Sequence, residues 1–344
     1  SLPATSTPSS TSASASSAIG HVFVINLENK SYDQTWGAAS PARYLNTVLV
    51  PKGVQLTQYY AIGHVSLDNY IAQISGQSPN PSTQSDCFRY TNFAAAGTGA
   101  YGQALGKGCV YPTSVKTVAD QLASSGKTWR GYMEDMGTPC RHPQIGSPDP
   151  TIVARKGDQY ATRHNPFVYF HSIVDGPQCA ANDVDLSKLT GDLASVATTP
   201  NLAFITPNLC HDGHDAPCVD GQPGGLVSAD RFLAQWVPKI LASPAYQAGG
   251  MLVITFDEAE TGDASACCHT PPSPNTAKPG LTGPGGGRVG ALVLSPRALA
   301  GTMSATPYNH YALLCSIENV FALPHLGFAG APGLACFGTD VYAS

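Results

Sequence analysis

Four stretches of the chain are apolar almost without a break: His21–Leu27, Leu202–Thr206, Met251–Phe256 and Val289–Leu294. Runs that do not alternate predict strands buried on both faces, as in a parallel sheet. The first stops at Glu28-Asn29, the second at Pro207 and the third at Asp257-Glu258. Between the runs the period changes. Apolar residues at Leu67, Ile71 and Ile74 predict a helix ending at Ser75. Val118–Ser124 predicts another, with Gly126 placed to end it. Longer helical patterns cover Ala229–Leu241 and Tyr311–Phe321. Strands alternating with helices predict an α/β fold, a three-layer αβα sandwich around a mostly parallel sheet. Residues 1–18 contain only Ser, Thr, Ala and Pro with one Leu, which predicts a flexible lead-in.

A length of 344 residues permits two domains. No internal repeat and no second linker divides the chain, so one domain over 19–344 is expected. Hydrophobic residues make up 42%, enough for a large core, which excludes general disorder. Charged residues are only 12%, and the net charge of -5 leaves no basic footprint for nucleic acid. No apolar run approaches the roughly 18 residues of a transmembrane helix. Ten cysteines and a Ser/Thr-rich start suggest the mature end of a secreted, extracellular protein.

Functional groups in open α/β sheets gather beyond the C-terminal ends of strands. Glu28, Asn29, Asp257 and Glu258 lie at such ends, and Asp212, His214 and Asp215 follow the 202–206 run. Carboxylates beside buried strands are costly unless paired or bound to a cation. Oxygen-rich donors suit hard divalent cations, and imidazoles widen the choice toward zinc or iron. Ser66 stands just before the 67–75 helical pattern, where free N–H groups favour phosphate. A serine there also serves as an ordinary N-cap. Gly-x-Ser-x-Gly, His-Glu-x-x-His and Cys-x-x-Cys are all absent. Gly126-Lys127-Thr128 fails as a P-loop because Gln121 occupies the required glycine position. Asn29-Lys30-Ser31 is formally a glycosylation sequon, but Asn29 lies at the proposed site.

Seven ordered segments resemble the secreted phosphoesterase family of the alkaline phosphatase superfamily, which contains acid phosphatases and bacterial phospholipases C. They are Leu27-Glu28-Asn29-Lys30-Ser31-Tyr32-Asp33, His64-Val65-Ser66-Leu67-Asp68-Asn69-Tyr70, Arg163-His164-Asn165-Pro166-Phe167 and the stretch from Ile205 to Asp215. Thr255-Phe256-Asp257-Glu258, Tyr308-Asn309-His310-Tyr311 and Leu323-Pro324-His325-Leu326-Gly327 complete the set. Val65 and Asp68 stand where the family has prolines. The resemblance implies an alkaline-phosphatase-like fold and a phosphoserine intermediate on Ser66. It implies a divalent cation (Mg, Ca, Zn, Mn or Fe) held by Glu28, Asn29, Ser66, Asp257 and Glu258. Asn69 would donate to a phosphate oxygen, and His164 and His214 would stabilise the phosphoryl group and protonate the leaving oxygen. His310 would line the substrate site or cap a helix. Asp212 would orient a histidine or bind a second metal, and His64 would support the site from behind. His211 is a further possible ligand, whereas His21, His269 and His325 read as structural or solvated.

Short separations suggest disulfides Cys87–Cys109, Cys210–Cys218 and Cys315–Cys336. Cys140, Cys179, Cys267 and Cys268 remain, with adjacent Cys267 and Cys268 expected to take different partners. The expected activity is hydrolysis of phosphate monoesters by an acid-phosphatase-type enzyme. The alternative is a phospholipase C-type phosphodiesterase acting on phospholipid or glycerophosphodiester head groups. A non-enzymatic binding protein would lack the nucleophile or the metal carboxylates, and this sequence has both.

Overall fold

The computed structural model describes residue 16 and residues 18–344. The lead-in expected over 1–18 lies outside them, apart from residues 16 and 18. The centre is an eight-stranded sheet. Its strands are β1 (His21–Leu27), β2 (Val54–Leu56), β3 (Trp129–Met133), β4 (Asp183–Asp185), β5 (Leu202–Thr206), β6 (Gly250–Phe256), β7 (Ala291–Leu294) and β8 (Thr302–Ser304). Their spatial order is β8-β2-β7-β6-β1-β5-β3-β4. β1 pairs in parallel with both β5 and β6, in the middle of the sheet. All residues of β1, β5 and β6 are buried, as their unbroken apolar runs require. The mostly parallel α/β architecture is therefore as expected.

One strand departs from that pattern. β7, expected over 289–294, starts at Ala291 and runs antiparallel to both β6 and β2. An apolar run reports burial, not direction. β3 (WRGYM) carries no unbroken apolar run, because Arg130 and Gly131 interrupt it. Gly131 is needed there: a Cβ would come within 2.8 Å of Asp183 Oδ1 on neighbouring β4.

The expected helices appear as α1 (Ser66–Ser75), α2 (Val118–Ser124), α3 (Gly225–Ala242) and α4 (His310–Val320). α1 packs against α4, and every α1 residue is buried. Gly76 ends α1 at φ +68, where a Cβ would meet Leu326 O at 2.2 Å.

All ten cysteines are paired. Cys87–Cys109, Cys210–Cys218 and Cys315–Cys336 match the short-range pairs suggested by the sequence. Cys140 joins Cys179. Cys267 and Cys268 bond to each other, contrary to the expectation of separate partners. The backbone turns sharply there, with φ +77 at Cys268, and every other cysteine is already paired.

Candidate active site

Sheet register builds the site. Leu27 of β1 lies opposite Phe256 of β6, so Glu28 and Asp257 leave the sheet side by side. The Asp257 N–H donates to Leu27 O (2.9 Å), and the Glu28 N–H donates to Asp212 O (2.8 Å). Three carboxylates from widely separated positions thus converge at one end of the central strands.

Glu28 is fully buried and organises its surroundings. Ser66 Oγ donates to its Oε2 (3.0 Å), and the Tyr70 hydroxyl donates to its Oε1 (2.6 Å). His164 Nε2 lies 3.2 Å from Oε1, and His164 Nδ1 lies 3.3 Å from Asp212 Oδ2. Neither approach has hydrogen-bond alignment, so both imidazole nitrogens and Asp212 Oδ2 are buried without a partner. Asp257 Oδ2 is likewise unpartnered, while its Oδ1 accepts from the Asn29 N–H (3.2 Å). Buried polar atoms are seldom left unpaired in native proteins.

Burial pushes the Glu28 carboxyl above its usual range, and it pushes Asp212 and Asp257 much further. The Glu28 charge raises the two aspartates again. Burial, together with nearby Arg163 and His214, holds His164 well below an ordinary imidazole pKa. A neutral imidazole among carboxylates offers lone pairs rather than charge. Oxygens and nitrogens of Glu28, His164 and Asp212 lie within 4.8 Å of one another, close enough to share one cation. The donor set fits a divalent metal. His164, expected to contact phosphate, therefore sits among the possible metal donors, as does Asp212.

The nucleophile candidate occupies the first turn of α1. Val65 before it adopts φ +71, an uncommon conformation for a β-branched residue. Glu258 holds the turn in place: its Oε2 accepts from the Val65 N–H (2.8 Å) and from His64 Nδ1 (2.7 Å). His64 Nε2 reaches Asp263 O (2.7 Å). Both partners are acceptors, so His64 needs a proton on each nitrogen. Burial opposes that charge, but the Glu258 carboxylate and the Asp263 carbonyl outweigh it and raise the His64 pKa. His64 and Glu258 thus form a buried pair behind Ser66.

Asn69 is placed differently from the phosphate donor that was expected. Its Oδ1 accepts from the N–H groups of Ile62 and Gly63, and its Nδ2 donates to Gly63 O (2.9 Å) and Asp68 Oδ1 (3.0 Å). The amide is taken up by the loop. His310 is similarly enclosed: Nε2 donates to Asp257 O (2.6 Å), and Nδ1 accepts from the Tyr59 hydroxyl (3.0 Å) and Gln73 Nε2 (3.2 Å). Burial lowers its pKa to about 4, consistent with a neutral ring that steadies the Asp257 backbone. The His214 N–H donates to Asp212 Oδ1 (2.7 Å), and its Nδ1 pairs with Asp215 Oδ1 (2.7 Å). That hydrogen bond to Asp215 raises the His214 pKa, and Nε2 has no protein partner among the described residues. His211 Nδ1 is bound to Glu134 Oε1 (2.8 Å), at the end of β3.

Three neighbours carry no role in the sequence argument. Tyr70 lies one helical turn beyond Ser66, on the same face, and stacks on His164 with ring centroids 5.3 Å apart. That i, i+4 spacing was the available clue. Arg163 Nε lies 3.4 Å from Asp86 Oδ2, and Asp86 Oδ1 accepts from the Leu67 N–H (2.9 Å). Asp86 comes from a distant turn, and nothing in its local sequence places it at the start of α1.

The sheet and its flanking helices define an α/β protein with a mostly parallel central sheet and a buried serine at its strand ends. The structure of a lipoteichoic acid synthase from Listeria monocytogenes superimposes with a TM-score of 0.50 at 11% identity, covering 94% of this chain and 76% of that one. A putative sulfatase from Bacteroides thetaiotaomicron gives 0.50 at 10% identity, covering 93% and 74%. Residues 48–324 match the phosphoesterase family model, and the chain belongs to that family. A probable acid phosphatase of Kluyveromyces lactis is 27% identical over 310 residues, 89% of this chain and 59% of that protein. A phosphate-repressible acid phosphatase of Penicillium chrysogenum is 26% identical over 279 residues, 81% of this chain and 54% of that protein. The chain therefore spans little more than half the length of these relatives.

Proposed function

We propose that this protein is a secreted, metal-dependent phosphomonoesterase of the acid phosphatase type, acting through a phosphoserine on Ser66. The observation that carries this reading is the Ser66 hydroxyl, buried at the start of α1 and hydrogen-bonded to Glu28 within the carboxylate–imidazole cluster. The fungal relatives named acid phosphatases favour monoesters over the phospholipase C alternative. Five disulfides are consistent with export. Site residues from 28 to 310 serve one sheet, which supports a single catalytic domain.

Glu28, His164, Asp212 and Asp257 would hold the divalent cation, with Asn29, Ser66 and Glu258 around them. A bound cation supplies Lewis-acid stabilisation of phosphoryl charge and lowers the pKa of a nearby hydroxyl. The Ser66 proton leaves along the existing hydrogen bond to Glu28 Oε2 as Oγ attacks phosphorus. The positive end of the α1 dipole, at Ser66, would favour the charge that develops on the phosphoryl oxygens. His214 Nε2, protonated because Asp215 supports the imidazolium, protonates the departing alcohol oxygen. Water then opens the phosphoserine, and phosphate leaves.

The test compares 4-nitrophenyl phosphate with bis(4-nitrophenyl) phosphate, with and without chelator, in wild type and Ser66→Ala. Monoester turnover that disappears in Ser66→Ala and after chelation is the expected result. An acid-quenched wild-type reaction carries one phosphate on Ser66 by mass spectrometry. Preference for the diester, or unchanged turnover in Ser66→Ala, overturns the proposal.

A further inference from the structure

The connection from β6 to β7, residues 257–290, carries Asp257, Glu258 and Asp263 and is irregular along its whole length. Such a segment has no ladder of backbone hydrogen bonds of its own and needs fixed points. Asp263 is one: its carbonyl holds His64 Nε2 (2.7 Å), and its Oδ2 accepts from the Arg288 N–H (2.9 Å). The start of α4 is another. Thr270 Oγ1 accepts from Asn309 Nδ2 (3.1 Å), and the Cys267 sulfur lies 3.1 Å from Tyr308 O. Asn309 caps α4 through the Ala312 N–H (2.9 Å), and His310, the next residue, steadies Asp257 O. Both fixed points therefore bear on the Ser66 site.

The Cys267–Cys268 bridge stands in the turn between Asp263 and Thr270. Cys268 and His269 both have left-handed backbone, at φ +77 and +54, which is uncommon outside glycine. Consecutive residues of that kind persist only when their surroundings hold them, and a bond between the neighbouring side chains is such a constraint.

This bridge differs from the other four. They join residues 8 to 39 positions apart and restrict the unfolded chain. A bond between neighbours closes no such loop, so breaking it leaves those ties in place. Each of the other bridges has at least one cysteine 5% exposed or less, whereas Cys267 and Cys268 are both half-buried. Both also line a cavity of about 600 Å³, together with Ala61, Pro79 and Phe328. Thiol–disulfide exchange requires a thiolate to reach a sulfur atom. None of the residues lining this cavity is Asp or Glu, so an anionic thiolate meets no carboxylate there.

We propose that Cys267–Cys268 is a redox modification site, opened by small-molecule thiols, and that opening it loosens the Asp263–His64 and Thr270–Asn309 contacts on either side. A thiolate attacks one sulfur, the S–S bond breaks, and the other sulfur leaves as a thiolate that takes a proton. A second thiol then displaces the first from the mixed disulfide. The protein gains two electrons and two protons, and the two thiols leave joined as their own disulfide. The effect on turnover rests on the phosphoesterase reading; the chemistry at the bridge does not.

The full, oxidised protein is treated with graded reduced glutathione, quenched with iodoacetamide and mapped by mass spectrometry. Cys267 and Cys268 should be alkylated before any other cysteine, at a concentration that leaves the circular dichroism unchanged. At that point amide hydrogen exchange over 263–270 and 309–312 should speed up roughly tenfold. The kcat for 4-nitrophenyl phosphate should fall roughly five- to tenfold, the worth of one supporting hydrogen bond. Oxidised glutathione should restore both. The double variant Cys267→Ser, Cys268→Ser should show the faster exchange and the lower kcat with no thiol present, and should not respond to glutathione. Ser66→Ala should give the same labelling order and the same exchange, which separates this proposal from the fate of the phosphoserine assignment. Earlier or simultaneous reduction of another bridge, unchanged exchange once the pair is reduced, unchanged kcat in the active protein, or a thiol response in the double variant each overturns the proposal.

Discussion

Glu318 should contribute a fall in stability as pH rises, and Glu318→Gln should remove that contribution. The carboxyl is fully buried on α4, the helix whose first residue, His310, steadies the Asp257 backbone. Its Oε1 accepts from the Leu326 N–H (2.8 Å), but Oε2 has no partner. Burial outweighs the Leu326 hydrogen bond and the opposing effect of the Gln121 amide, and raises the pKa from 4.5 to about 9. Between those values the folded protein holds a proton that the unfolded chain has released, so each pH unit removes about 1.4 kcal/mol of stability. From pH 5 to pH 8 the loss attributable to this one group is roughly 4 kcal/mol, the upper value for full neutrality in the fold. Glutamine keeps the shape and the acceptor for Leu326 but does not titrate. Urea unfolding with disulfides intact, at pH 5, 6, 7 and 8, gives both proteins' stabilities. The advantage of Glu318→Gln should be small at pH 5 and should widen with each step. A constant difference across that range, at equal m-values, refutes the reasoning.

Tyr70→Phe removes the 2.6 Å hydrogen bond to Glu28 while keeping the ring that stacks on His164. With the fold intact by circular dichroism, kcat for an aryl phosphate should fall roughly ten- to a hundredfold, the worth of a hydrogen bond to a charged group. Asp183, with its pKa raised to about 7 by burial, favours the fold most when protonated. Asp183→Asn should therefore flatten the stability loss between about pH 4 and pH 7, read from the same urea curves. Replacing Cys210 and Cys218 by serine opens a bridge of sequence separation 8 around Asp212 and His214. The loop-entropy relation gives a loss of about 2.5 kcal/mol, measurable as a lowered Tm. Saturating divalent metal should raise Tm, and chelator should reverse the rise. At a hundred times Kd the gain is about 2.7 kcal/mol, and no shift with Mg, Ca, Zn or Mn would remove the cluster from consideration as a metal site.

The parts of the fold visible in sequence were those where burial alone determines composition. β1, β5 and β6 are buried on both faces, so their sequences are almost purely apolar and their ends mark where the carboxylates emerge. β3 stayed hidden because Gly131 makes room for the Asp183 side chain and Arg130 pairs with Asp192 at its edge. Short motifs named Glu28, Ser66, Asp212 and Asp257, which the fold brings to one end of the central strands. They did not reveal how Asn69 and His310 are occupied, because the path of the 62–65 loop decides the first and groups distant in sequence decide the second. Asn69 serves the backbone of Ile62 and Gly63, and His310 the carbonyl of Asp257. Identity at a motif position gives the donor and acceptor inventory of a side chain, but the packed loops decide where it is used.

The electrostatics of the strand ends follow from how the cations are distributed. Three positive groups lie close to the carboxylates, and each already has a partner. His64 is bound to Glu258 and the Asp263 carbonyl, Arg163 to Asp86 and Thr151 O, and His214 to Asp215. Glu28, Asp212 and Asp257 are left in low-dielectric surroundings without a protein cation of their own, and all three are pushed toward protonation. Protonation would relieve the charge, but the partnerless Asp212 Oδ2 and Asp257 Oδ2 and both His164 nitrogens would still lack hydrogen bonds. One divalent cation would answer both problems, since it would return the acids to their ionised form and engage lone pairs on oxygen and neutral nitrogen together. The His64–Glu258 pair then has a separate task. It secures the strained Val65 turn, so that Ser66 stays aimed at the cluster whether or not the charges there change.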